Sequence, residues 1–133
     1  MDAGILILLI ILFGSFLGVL VFFLIKSLAA PRKIGSLQEQ VKQGKISQAI
    51  RNAKQLLIKD PRNAEAHYLL GQAYTQDGKK ELALMAYKTV NQLSDFSGIC
   101  KETEFRKNIA DLFLQFGQQE EALKEYLLLA KLE

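Results

Sequence analysis

The pattern of the chain changes after Ile25. From Ala3 to Ile25 no side chain is charged, and Leu, Ile, Val and Phe fill the run with a few Gly and Ser among them. Beyond Lys26 the apolar residues come at helical spacing among Lys, Gln and Glu. About 20 apolar residues in a helix cross the hydrocarbon core of a bilayer, so the first run is long enough to span one. A helix is required there, because lipid offers no partner for free backbone N–H and C=O groups. The alternatives are a buried core helix and a cleaved signal peptide. The polar remainder is too short to wrap a core helix of this length. A signal peptide needs a basic start and a short apolar stretch. This start carries Asp2 with no Lys or Arg, the run is too long, and Ser27-Leu28-Ala29 makes a poor cleavage site. The sequence predicts an uncleaved anchor over residues 1–26, a short linker over 27–35 broken by Pro31 and Gly35, and a helical domain over 36–133.

Within that domain the pattern repeats. Gly44, Gly78 and Gly117 each stand five residues before an alanine: Ala49, Ala83 and Ala122. Four residues on come Ala53, Tyr87 and Tyr126, and three further come Leu56, Val90 and Leu129. The first spacing is 34 residues and the second 39, which places a five-residue insertion around Asp95–Cys100. A glycine after a helix takes the left-handed conformation that ends it. A small alanine on the next helix then lets two antiparallel helices pack closely. The predicted helices are 36–43, opened by a capping box at Ser36-Leu37-Gln38-Glu39, then 46–59, 64–76 capped by Asn63, 79–93, 101–116 and 118–132. Pro61 stops the second of these.

These residues resemble the tetratricopeptide repeat. The middle repeat carries the resemblance best, with Leu70-Gly71, Tyr74, Gly78, Ala83 and Tyr87, and His67 where the family often has Trp. Repeat three shows Ala110, Phe113, Gly117, Ala122 and Tyr126. Repeat one departs from the pattern, with Leu37 at the family's Gly position and Gln40 at its Tyr position, but keeps Ala49, Leu56 and Pro61. The resemblance covers about residues 34–131. It implies an all-α solenoid of about three helix pairs, placed at about 30–63, 64–97 and 103–133, behind an N-terminal anchor of bacterial type. It also implies a concave groove, lined by the first helix of each pair, that binds peptides or partner helices. In this chain those positions are Gln38, Val41 and Lys42 in repeat one, and Tyr68, Gln72, Thr75 and Gln76 in repeat two. Repeat three adds Glu104, Lys107, Asn108, Asp111 and Gln115. The carboxylate clamp of the chaperone-binding members is absent, since Ile34, Gln38, Glu104 and Asn108 occupy its positions.

Two other surfaces stand out. The last helix carries Leu123, Leu127, Leu128 and Leu132 besides Tyr126 and Leu129, more apolar residues than packing on one partner helix requires. Exposed apolar surface of that kind marks an interface, here with another protein or a second copy; the alternative is that the chain continues past Glu133 and supplies the cap. In the anchor, Gly14 and Gly18 form a GxxxG spacing, through which helix backbones approach closely.

Charge sharpens the picture. Residues 26–62 carry nine Lys or Arg against Glu39 and Asp60, whereas 63–133 carry eight against eleven acids. The basic part adjoins the apolar run, which has no Lys or Arg before it. Positive residues mark the cytoplasmic flank and are drawn to anionic lipid. The expected placement is the plasma (inner) membrane, with residues 3–25 in lipid, the N-terminus outside and the repeats cytoplasmic. A periplasmic repeat domain is the alternative. No nucleotide-binding, zinc-protease or nucleophile-elbow motif is present. His67, the one histidine, and Cys100, the one cysteine, read as packing residues, so no metal, cofactor, small-molecule substrate or catalytic residue is expected. The basic residues of repeat one lack interleaved aromatics, which argues against nucleic acid. The expected function is non-enzymatic: a membrane-anchored scaffold for a protein complex, or a peptide-binding adaptor that recruits soluble clients.

Overall fold

A computed structural model describes the backbone of residues 2–133 and the side chains of residues 2–26 and 33–133. Six helices account for the described chain: α1 (Ala3–Lys42), α2 (Ile46–Lys59), α3 (Ala64–Gln76), α4 (Lys80–Leu93), α5 (Glu102–Gln115) and α6 (Gln119–Leu132). The chain forms two compact units, Met1–Gly35 and Ser36–Glu133.

The first unit holds the apolar run. Ala3–Lys26 is helical, is long and apolar enough to cross a membrane, and has none of its residues buried. Gly14 and Gly18 have open space over their Cα atoms. One expectation fails here. The helix does not stop at Pro31 or Gly35 but continues to Lys42. An interior proline removes a single backbone hydrogen bond and kinks a helix more readily than it ends one. Gly35 does not take a positive φ. Ser36 therefore caps nothing, and Glu39 accepts a hydrogen bond from Gln43 at 3.1 Å rather than reaching back to it. The side chains of Ser27-Leu28-Ala29, Pro31 and Arg32 lie outside the described residues.

The second unit is a stack of antiparallel helices, with α2 on α3, α3 on α4, α4 on α5 and α5 on α6. The three repeat glycines do the same job. Gly44, Gly78 and Gly117 have φ of 76°, 76° and 72°. In each case the next residue's N–H reaches back across the turn: Lys45 to Gln40 O (3.0 Å), Lys79 to Tyr74 O (2.9 Å) and Gln118 to Phe113 O (2.8 Å). That bond is the Schellman closure, and it turns the chain sharply enough for the next helix to run back. The three alanines are buried where the helices cross. Asn63 caps α3 by accepting the Ala66 N–H at 3.0 Å.

Where repeat one departs from the family pattern, polar contact replaces packing. Gln40 stands at the aromatic position and accepts a hydrogen bond from Asn52 of α2 at 3.0 Å. The core is richest between repeats two and three. Tyr68, Tyr87 and Phe105 follow one another at 5.9 Å between ring centroids, and Phe96 joins Phe105 at 5.3 Å.

Candidate functional site

Because α1, α3 and α5 are the first helices of the three pairs, their exposed stripes face one concave side. Between them lies a cavity of about 730 Å³. Gln38, Val41 and Lys42 enter it from α1, and Tyr68, Gln72, Thr75 and Gln76 from α3. From α5 come Glu104, Asn108, Asp111, Leu112 and Gln115, which recur at the spacing of one helical face. Lys107 is not in the cavity; it is exposed at the edge of that stripe. By repeat register Lys107 matches Tyr68, a position that faces the following repeat, and here no described repeat follows.

Two parts of the cavity are not legible from first-helix positions. Tyr87 reaches it from α4. Gly98, Ile99 and Lys101 form a wall from the insertion between α4 and α5. This insertion is ordered by its own contacts. Ser94 and Gly98 take left-handed φ of 52° and 62°, and Asp95 accepts from the Ser97 hydroxyl at 2.7 Å. The loop is pinned to α3 by the Ile99 N–H, which donates to Glu65 at 3.2 Å. The 39-residue spacing signals the insertion, but nothing in it says that the extra residues fold inward.

The cavity is mixed in charge, with Lys42 and Lys101 against Glu104 and Asp111, and its other polar side chains are mostly amides. Its floor contains an unusual group. Tyr68 is 2% exposed, and its hydroxyl has no hydrogen-bond partner. Burial pushes this phenol well above its ordinary range, and the charge of Glu104 pushes the same way. Burial likewise pushes Tyr87 up to about 12. Neither phenol ionises at neutral pH, so each keeps its hydroxyl proton. A buried hydroxyl without a partner is costly, so a bound group that accepts from Tyr68 is stabilised more than one at a solvated site. The Tyr126 hydroxyl is satisfied, donating to Asp111 at 2.7 Å.

His67 sits outside the cavity and is half-buried, with Nε2 2.9 Å from Pro61 O across the α2–α3 connection. Cys100 is fully buried. Among the described residues no three His, Cys, Asp or Glu side chains are placed to share a metal ion. The four leucines of α6 are exposed, but they fall on two sides of the helix: Leu123 with Leu127, and Leu128 with Leu132.

Antiparallel helix pairs of this length, closed by the same glycine turn and curved around a groove, define a helical-repeat interaction module. Comparison with known proteins supplies the family. Residues 37–92 match the family "Tetratricopeptide repeat", so that stretch of the chain carries the family's repeat. Among solved structures it is similar to MamA (41-end) from Desulfovibrio magneticus RS-1, at TM-score 0.64 and 17% identity over 75% of this chain and 54% of that one. It is also similar to the Yersinia enterocolitica type III secretion translocator chaperone SycD, at TM-score 0.65 and 22% identity, covering 77% of this chain and 67% of that one. The TPR domain of Arabidopsis FLU matches at TM-score 0.60 and 25% identity, over 75% of this chain and 90% of that one. The chain thus spans about half the length of the MamA structure. No curated protein matches in sequence. Tetratricopeptide modules mediate protein–protein interaction, and that is the role the fold assigns to this one.

Proposed function

We propose that this chain is a non-enzymatic, single-pass membrane scaffold whose repeats hold a partner protein at the bilayer surface through the concave groove. The groove carries the reading. It presents Gln38, Gln72, Gln76, Asn108 and Gln115, whose amides both donate and accept, as an extended backbone requires. Tyr68 supplies a buried hydroxyl that lacks a partner. Ala3–Lys26 is the anchor in this reading. The Lys and Arg that follow it, with none before, favour the inner membrane of a bacterial-type cell with the repeats on the cytoplasmic side. A periplasmic placement is the alternative that protease accessibility on intact cells distinguishes, since cleavage from outside reverses the orientation.

The second reading is an exchangeable adaptor that recruits soluble clients, and the polarity of the groove favours it. One experiment separates the two. The full chain and a Gln72→Arg/Asn108→Arg variant are purified in mild detergent and their co-purifying proteins identified by mass spectrometry, with an anchor-deleted control. A scaffold retains a stoichiometric partner that the groove variant loses. An adaptor retains only weak, washable partners. Recovery of the same partner by the groove variant would remove the groove from both readings.

A further inference from the structure

The groove holds an acidic group that no cation of the described chain answers. Glu104 lines the cavity from the first turn of α5. Among the described residues, ion pairs join Lys79 to Asp77 and Arg106 to Glu102 and Glu125, and none includes Glu104. Lys101 stands one turn before it and Lys107 one turn after, yet neither pairs with it. The other cavity acid, Asp111, is engaged, since it accepts from the Tyr126 hydroxyl at 2.7 Å. The charge of Glu104 reaches inward. Burial raises the Tyr68 and Tyr87 phenols and the Cys100 thiol, and Glu104 pushes each of them the same way. The cavity's lysines, Lys42 and Lys101, are exposed, and their long stems let the ammonium groups stay in water when the groove fills. A glutamate has less reach. A segment seated over α5 takes water from the Glu104 carboxylate, and a carboxylate that loses water without gaining a cation makes seating costly.

We infer that the groove selects a partner segment carrying an arginine or lysine, whose cation meets Glu104 while a backbone carbonyl of the same segment accepts from the Tyr68 hydroxyl. This rests on the groove reading above and adds a charge preference to it. Two independent observations converge on one cavity. Tyr68 is 2% exposed, lines the cavity and has a hydroxyl without a partner, so it calls for an acceptor that any peptide backbone supplies. Glu104 calls for a cation that only a basic side chain supplies. Gln72 lies one turn beyond Tyr68 on α3, and Asn108 one turn beyond Glu104 on α5, so an amide stands beside each contact. An acidic segment would set like charges together at Glu104.

The test uses the full chain in nanodiscs of phosphatidylcholine, a lipid without net charge that does not itself attract basic probes. The probes are short fluorescent peptide pools whose central residue is fixed as Arg, Lys, Leu or Glu and whose other positions vary among uncharged residues. Fluorescence polarisation reads their binding. The Arg and Lys pools are expected to bind about tenfold tighter than the Glu pool, with the Leu pool between. Glu104→Gln should bring the Arg and Leu pools together, and Glu104→Lys should reverse the order. Glu104 is exposed, so these changes leave the fold intact, which circular dichroism checks. Glu81→Lys, at an exposed α4 position outside the cavity, adds the same charge and should leave the order unchanged. Tyr68→Phe should weaken every pool alike, by about threefold to tenfold, without changing their order. Equal binding of the pools, an order that survives Glu104→Lys, or one that Glu81→Lys also reverses would overturn the charge preference while the groove reading stands. Binding undiminished by Tyr68→Phe would overturn the paired contact. Binding of no pool would overturn the inference and the groove reading together.

Discussion

Arg106 donates to Glu125 across 2.7 Å, and each side chain is less than a tenth exposed. The pair ties α5 to α6, and Asn91 of α4 joins it by bonding both partners. Glu102 accepts from the other edge of the guanidinium at 3.0 and 3.2 Å. The Phe96 ring lies 5.3 Å from the guanidinium carbon. Charges taken this far out of water are held by mutual satisfaction, so removing one partner exposes the full cost of burying the other. Glu125→Ala is expected to destabilise the repeat unit by about 3 kcal/mol, the lower end for a broken buried pair because Glu102 remains. The double change Arg106→Met/Glu125→Leu should recover most of that loss. Urea unfolding followed by tyrosine fluorescence checks both. A double variant no better than the single one would show that the network contributes shape rather than charge pairing.

Gly71 and Tyr87 meet at a close crossing of α3 and α4. A Cβ added at Gly71 would lie 2.5 Å from Tyr87 Cε1. Tyr87 cannot easily retreat, being packed between Tyr68 and Phe105. Replacing a helical glycine by alanine gains up to about 1 kcal/mol in propensity, while overpacking a core costs about 1–3 kcal/mol. Gly71→Ala should therefore lose about 1 kcal/mol net. Gly35→Ala, where nothing lies within 4 Å, should gain helix stability instead. Opposite shifts in the same unfolding assay check the pair, and a stabilising Gly71→Ala would mean that the α3–α4 crossing is looser than its geometry.

These two sites mark where sequence reasoning reaches its limit. The Gly71–Tyr87 crossing follows from the repeat, because the period puts a small residue on α3 opposite an aromatic on α4. The helix ends were equally legible, since each glycine turn and the Asn63 cap act within a few residues of themselves. The Arg106 network was only half legible: Glu102 stands one turn away on the same helix, but Glu125 and Asn91 arrive through tertiary packing. The helix across Pro31 and Gly35 was misread, because both residues weaken a helix locally without dictating its end. The inner wall formed by Gly98 and Ile99 was invisible, because an insertion reports its length and not the direction in which it folds.

That wall depends on Glu65. Its carboxylate accepts the Ile99 N–H at 3.2 Å and lies where a Cβ on Gly98 would fall, at 2.6 Å. Glu65→Ala removes the partner of a part-buried amide, a loss of about 1 kcal/mol. The effect should be local, with faster hydrogen exchange at Ile99 and Cys100 and little change at the α3 and α5 amides. Uniformly faster exchange across the repeat unit would mean that Glu65 supports the stack as a whole. Gly98→Val, which combines a left-handed φ of 62° with that close approach, should open the same loop more strongly.

Cys100 gives the clearest dependence on pH. Burial pushes its thiol from the ordinary 9.0 up to about 12, and Glu65, Asp95 and Glu104 add to the rise. The folded protein therefore keeps a proton that the unfolded chain releases above pH 9. The stability linked to this group is complete below pH 9 and is lost as pH climbs from 9 towards 12. Tyr87, raised from 10.0 to about 12, acts in the same direction over the upper part of that window. The urea midpoint should thus hold steady between pH 7 and 8.5 and fall beyond 9, with Cys100→Ala and Tyr87→Phe each flattening the fall. At pH 8 a thiol held near 12 offers roughly a thousandfold less thiolate than one at 9. Cys100 should accordingly resist a thiol-reactive dye in the folded protein and react promptly in urea. Equal rates in the two states would show that the insertion opens often enough to expose it.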